Sequence, residues 1–296
     1  MTDKMKELTV RTISGAVLVA VIFGSLYASP AVFAAVAFII MVGGMWEFYS
    51  LAAAQGAQPM RFLGLSLGIA MFGVALKLMT ITEFSFIMVA AVPSLLFALL
   101  ALPAMFVLRL FRTGGNPAAD IGTTLTGVFY VAMPMSLILL LPRMVTGVWN
   151  PTVILFIILT VFANDVFAYL VGMTANALTG GRTHKMFERI SPKKTWEGFA
   201  GGIAGALVTG LIASAVLPVD MWGWLGLSAV VAVAAVAGDL VESMFKRAAG
   251  VKDSGRAIPG HGGFLDRFDA LLLAVDAAVI YLILVYPFFM PPFMHS

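Results

Sequence analysis

Residues 152–172 read Thr152-Val153-Ile154-Leu155-Phe156-Ile157-Ile158-Leu159-Thr160-Val161-Phe162-Ala163-Asn164-Asp165-Val166-Phe167-Ala168-Tyr169-Leu170-Val171-Gly172. About 20 apolar residues cross the hydrocarbon core of a bilayer as a helix, and this run carries a single charge. It reads as a transmembrane helix. Eight further stretches of the same character lie at roughly 12–28, 30–51, 62–80, 85–110, 121–141, 198–218, 222–240 and 267–290. The fourth contains Pro93 and Pro103, which predict a kink or a tilt.

Composition agrees. The 296 residues are 61% hydrophobic and 11% charged, against about 25% charged in soluble domains. The expectation is an all-α, polytopic integral membrane bundle of about nine transmembrane helices. No polar tract is long enough for a separate soluble domain, so residues 1–296 read as a single membrane domain. Residues 1–150 supply scaffold spans, and 151–296 hold two long polar loops, 173–197 and 241–266. The absence of cysteine excludes disulfides and thiol chemistry.

Nine spans put the termini on opposite sides. With the N-terminus cytoplasmic, 16 of the 18 Lys and Arg fall on the inner side, leaving Lys77 and Arg143 outside. That asymmetry also accounts for the +3 net charge without nucleic acid as a partner. Lys4, Lys6 and Arg11 ahead of an apolar run ending near Ala28-Ser29-Pro30 have the outline of a signal peptide, but the topology requires an uncleaved first span.

The densest polar segment runs from Gly238-Asp239 and Glu242-Ser243 through Lys246-Arg247, Gly250, Lys252-Asp253-Ser254-Gly255 and Arg256 to Pro259-Gly260-His261-Gly262-Gly263, Asp266-Arg267 and Asp269. Asp239 and Glu242 are three apart, as are Asp266 and Asp269, so each pair shares a helix face and the two pairs could converge on a cation. Carboxylates near hydrocarbon cost several kcal/mol, roughly, unless partnered. Hard oxygen ligands suit Mg²⁺. The glycines at 260, 262 and 263 let backbone N–H groups close on phosphate oxygens, and Lys246, Arg247, Lys252 and Arg256 supply positive charge. Singly, such residues mark an interface or snorkel; the ordered string describes metal-assisted phosphoryl or nucleotidyl transfer.

From Ser243 to Asp269 this string resembles the signature of the phosphatidate cytidylyltransferase (CDP-diacylglycerol synthase) family. The resemblance extends upstream through Asn164-Asp165 and Tyr169 to Ser191-Pro192-Lys193-Lys194-Thr195-Trp196-Glu197-Gly198. It implies that phosphatidic acid attacks the α-phosphorus of CTP and releases pyrophosphate, with Mg²⁺ required and a second cation left open. It makes Asp239 and Asp266 the metal carboxylates and gives Asp269 the next place. Lys246, Arg247 and His261 join Asp269 in the reaction. Asp165, Lys193, Lys194, Lys252, Asp253, Gly262, Gly263 and Arg267 meet substrate. It further implies a homodimer, and the Lys and Arg distribution turns the site toward the cytoplasm, in what reads as a bacterial plasma membrane protein. The segment 173–187 departs from the shorter glycine-plus-basic stretch expected in bacterial relatives.

Two carboxylates lie outside the signature. Glu47, in Trp46-Glu47-Phe48, reads equally as a functional contact or as a structural hydrogen bond near the inner end of its span. Asp276 is seven residues past Asp269, about 20° around the helix from it, and is placed to line the same cavity. The rival readings are a related CTP-using lipid enzyme (CDP-archaeol synthase or polyprenol kinase) and a transporter. A transporter predicts ionisable groups at the bilayer midplane, whereas here they cluster at one face.

Overall fold

The computed structural model describes residues 3–80, 96, 97, 99–101 and 103–289. The chain divides into two compact units, one of Met1–Leu140 with Phe245–Phe268 and the other of Leu141–Met244 with Asp269–Ser296.

In the first unit, α1 (Asp3–Ala28), α2 (Pro30–Ala54) and α3 (Arg61–Thr80) are long apolar helices. The break between α1 and α2 is one residue, Ser29, whose hydroxyl accepts from Val32 N–H at 3.2 Å. Pro30 begins α2 because a first-turn position needs no backbone donor. Tyr49 of α2 is buried against Gly64 and Gly127, positions at which any Cβ would overlap its ring, and its hydroxyl donates to the Thr124 carbonyl at 2.9 Å. A buried ion pair, Arg109 to Asp120 at 2.9 Å, and the bond from Gln58 N–H to Asp120 at 2.6 Å tie the turn after α2 to α4 (Pro117–Gly127).

The predicted span 121–141 is not one regular helix. A π-helical turn, Val128–Ala132, separates α4 from the five-residue α5 (Met133–Leu137). Pro134 explains the break, since it lacks an N–H and its ring clashes with the carbonyl of the preceding turn. Half of the predicted span 85–110, Pro93 included, lies outside the described residues.

The second unit begins with α6 (Leu141–Thr146), followed by α7 (Pro151–Leu178), α8 (Trp196–Val216), α9 (Met221–Ala248, to Met244) and α10 (Leu265–Leu284, from Asp269). Asn150 caps α7 by accepting from Thr152 N–H at 3.0 Å. A Cβ at Gly198, Gly201, Gly202 or Gly205 would collide with Ala168, Val171, Asn164 or Phe167, so this small-residue face lets α8 lie directly on α7.

Two loop boundaries differ from the sequence reading. Residues 173–178 complete α7, and 185–195 form an antiparallel hairpin, β1 (Lys185–Phe187) with β2 (Ser191–Thr195), so the chain is not purely helical. Glu197 holds this hairpin from the first turn of α8, accepting from His184 N–H at 3.0 Å and meeting His184 Nδ1 at 2.8 Å. Residues 241–248 belong to α9, which ends where Gly250 takes φ +70°, a left-handed value that glycine adopts without strain.

Six helices among the described residues are long and apolar enough to cross a membrane: Leu8–Ala28, Pro30–Ala54, Arg61–Thr80, Pro151–Leu178, Trp196–Val216 and Met221–Ala248. The chain is a helical multi-span membrane protein. The 20-residue α10 is excluded from that set by its content of Asp266, Arg267, Asp269 and Asp276.

Candidate active site

Close approach of α7, α8 and the hairpin leaves a cavity of about 470 Å³ in the second unit, lined by Asp165, Tyr169, Lys193, Lys194 and Asp239 among others. Four of the residues singled out in the sequence thus share one space. Lys194 reaches across it, its ammonium 2.7 Å from Asp239 Oδ2 and donating to the Val236 carbonyl at 3.3 Å. Asp165 follows the buried Asn164, whose amide nitrogen lies 3.5 Å from Asp165 Oδ1.

Asp239 also belongs to an acidic group. One carboxylate oxygen from each of Asp239, Glu242 and Asp269 lies within 4.8 Å of the other two. The i, i+3 spacing on α9 brings Asp239 and Glu242 together. Gly238 admits Asp269: its missing side chain leaves room for the backbone of α10 at Asp269 and Ala270. Glu242 is fully buried. Like charges so close repel one another unless a cation lies among them, and carboxylate oxygens are the hard donors that magnesium takes, usually one or two from protein with water and substrate phosphate supplying the rest. The donor set fits that ion.

In the first unit Asp266 is surrounded by donors. Lys246 Nζ lies 2.7 Å from its Oδ1, while Oδ2 accepts from Ser254 N–H at 2.8 Å, Ser254 Oγ at 2.9 Å and Gly263 N–H at 2.8 Å. Asp266 stands in the first turn of α10, ahead of its apolar run. Burial acts to raise its pKa, but the Lys246 ammonium, Gly263 N–H and Ser254 hydroxyl outweigh burial and hold it below the usual carboxylate range. Hydrogen bonds to a charged acceptor contribute roughly 1.5–3 kcal/mol each. Gly263, expected to offer its N–H to phosphate, gives it to Asp266.

His261 sits against α1. Its Nδ1 is 2.8 Å from Ser14 Oγ, which is also 2.8 Å from the Pro259 carbonyl. Gly262, at φ +84°, turns the chain between His261 and Gly263. Arg247 donates to the Val251 carbonyl at 3.2 Å, and Lys252, Asp253 and Arg267 are exposed. Asp276 lies on α10 with Oδ1 buried.

Two contributors fall outside the signature. Glu47 of α2 accepts from Phe264 N–H at 3.1 Å and Leu265 N–H at 2.8 Å, and Ser254 Oγ lies 3.2 Å from it. Its signal in the sequence was a lone carboxylate within an apolar span. Ser14 carries no comparable signal, because hydroxyls are common in membrane helices and bond to their own preceding turn, as this one does to Val10.

Residues 9–285 match the cytidylyltransferase family. The chain is 31% identical to a phosphatidate cytidylyltransferase of Synechocystis over 94% of its own length and 98% of the relative's. Proteins of the same name from Brucella abortus and Staphylococcus aureus are 45% and 42% identical over 132 residues. Those alignments cover 44% of this chain and 46% and 48% of the relatives.

Proposed function

The chain belongs to the cytidylyltransferase family, and from that premise we infer that it is a phosphatidate cytidylyltransferase. A phosphate oxygen of phosphatidic acid attacks the α-phosphorus of CTP, the α–β phosphoanhydride bond breaks, and pyrophosphate leaves with the electron pair. The product is CDP-diacylglycerol. The observation that carries this reading is the alignment with the Synechocystis protein over nearly the full length of both chains.

A phosphate monoester is already an oxyanion near neutral pH, so a strong general base is not required. Positioning and charge neutralisation carry the barrier. Lys193 and Lys194 grip a phosphate from the walls of the cavity, and Asp165 borders the nucleotide. Lys246 and Arg247 stabilise the departing pyrophosphate, with Lys252, Asp253, Gly262 and Arg267 as further substrate contacts and His261 as a donor.

Mg²⁺ is part of the proposal. Asp239, with Glu242 and Asp269, supplies the oxygen donors; the ion, when bound, neutralises and polarises the triphosphate. Asp266 would share the metal role that the resemblance gives it, and Lys246, which it holds, would meet a phosphate. The remaining parts are a homodimer, which rests on the family resemblance alone, and a bacterial plasma membrane with the site facing the cytoplasm, supported by the Lys and Arg asymmetry and by the bacterial relatives.

The test is radiolabelled CTP with detergent-purified protein and, separately, phosphatidic acid, an ether-linked analogue and a polyprenol. CDP-lipid and pyrophosphate from phosphatidic acid are expected. Turnover of the ether lipid or the polyprenol alone, or no pyrophosphate at all, overturns the assignment.

A further inference from the structure

We propose that Glu47, on the second helix, is a positioning residue for this reaction, clamping the glycine loop and the start of α10 so that Asp266 and Lys246 are held in working geometry. The inference rests on the function proposed above but concerns a residue that belongs to no part of the signature.

Glu47 is 8% exposed on an otherwise apolar helix, where an unpartnered carboxylate is strongly disfavoured. It is retained because two backbone N–H groups converge on it and a hydroxyl lies beside it. Oε1 accepts from Phe264 N–H and Oε2 from Leu265 N–H, while Ser254 Oγ, whose one proton is shared with Asp266, lies 3.2 Å from Oε2. Phe264 and Leu265 begin α10, so the carboxylate occupies the electropositive end of that helix and satisfies N–H groups that have no partner within it.

The two glycines of the loop serve this contact. A Cβ at Gly255 would overlap Oε1, and one at Gly263 would overlap Oε2. Gly43, one turn before Glu47 on α2, makes room in the same way for the Phe264 ring. The loop is therefore cut to fit α2, and the glycine at 263 is accounted for without a phosphate. Ser254 transmits the restraint, since its hydroxyl lies between Glu47 Oε2 at 3.2 Å and Asp266 Oδ2 at 2.9 Å while its N–H binds Asp266 directly. Asp266 in turn fixes Lys246. One carboxylate in a membrane helix thus sets the place of a second carboxylate and an ammonium that belong to the reaction.

The experiment compares full-length wild type, Glu47→Gln, Ser254→Ala and the double variant in the CTP and phosphatidic acid assay. Glu47→Gln keeps the shape and puts an amide where N–H groups point. It should lower kcat by about 10²-fold, the scale of a misplacement near 1 Å, with KM for CTP little changed. The double variant should lose no more than the worse single variant, because both act through Asp266. Wild-type kcat in Glu47→Gln, or losses that multiply in the double variant, overturns the inference. A lower thermal midpoint with unchanged kcat at saturating substrates makes Glu47 merely structural and also overturns it. Should Glu47→Gln not yield folded protein, Gly255→Ala, which displaces the carboxylate and keeps its charge, takes its place in the same cycle with the same outcomes. A wild-type protein that makes no CDP-lipid refutes the proposed function, whereas an active wild type with an equally active Glu47→Gln refutes this inference alone.

Discussion

Two groups of carboxylates, one in each unit, are handled in opposite ways. Asp266 is fed by four donors from its own chain, among them an ammonium, so the protein has neutralised it. Asp239, Glu242 and Asp269 are pressed within 4.8 Å of one another, and the cation on Asp239, Lys194, comes from a cavity wall. A saturated carboxylate stabilises the fold, while a crowded group accumulates negative charge that an external cation can relieve. On the proposed function, the difference is between a residue that organises a site and residues that hold an ion. It also predicts that neutralising a member of either group affects activity in the same direction and stability in opposite ones.

The largest expected effect is that of Asp239→Asn. It removes the carboxylate shared by the cavity and the acidic group, and turnover should fall by about 10³-fold, the upper range for deleting one electrostatic stabiliser. Mn²⁺ binding measured without substrate should weaken in parallel. Unchanged Mn²⁺ affinity would detach the acidic group from metal.

Asp266→Asn should nearly match it in activity, at about 10²-fold or more, and differ in stability. Asp266 then loses the charge that Lys246, Ser254 and Gly263 are arranged around, so the thermal midpoint in detergent should drop. Glu242→Gln, by contrast, relieves repulsion and should leave the metal-free midpoint equal or higher while abolishing the rise that Mg²⁺ gives the wild type. Equal destabilisation by both substitutions would erase the distinction drawn between the groups.

Lys194→Ala comes next, on the order of 10-fold in KM for CTP, since it deletes one charge-assisted contact. The same substitution frees Asp239 of its partner, so Mn²⁺ binding without substrate should tighten. Weaker binding instead would mean that Lys194 supports the geometry of the acidic group.

The sequence disclosed the helical membrane character because 20-residue apolar runs need only length and composition to be recognised. It singled out Asp239, Lys193, Lys194 and Asp165 as site candidates, and the structure places them around one cavity. Its span boundaries erred where local chemistry overrode hydropathy, as at the π-turn before Pro134, and the 173–197 loop hid a hairpin because three- and five-residue strands rich in Lys give no alternation to detect. What it could not disclose was the dependence of the signature loop on the first two helices. Glu47 meets Leu265 across 218 positions and Ser14 meets His261 across 247, and no local pattern encodes such pairings.

The smallest effect belongs to Ser14, and it sharpens the comparison by asking whether the neutral part of the loop is organised as Asp266 is. Ser14 Oγ lies 2.8 Å from His261 Nδ1 and 2.8 Å from the Pro259 carbonyl, so one hydroxyl of α1 meets the loop at two points. Ser14→Ala removes that anchor, worth about 1 kcal/mol for a neutral hydrogen bond, or roughly fivefold in kcat/KM. If that contact positions His261 for substrate, kcat/KM should fall while the thermal midpoint stays unchanged. A lower midpoint with unchanged kcat/KM would instead mean that Ser14 only holds the loop against α1, and no change in either would remove α1 from the site altogether.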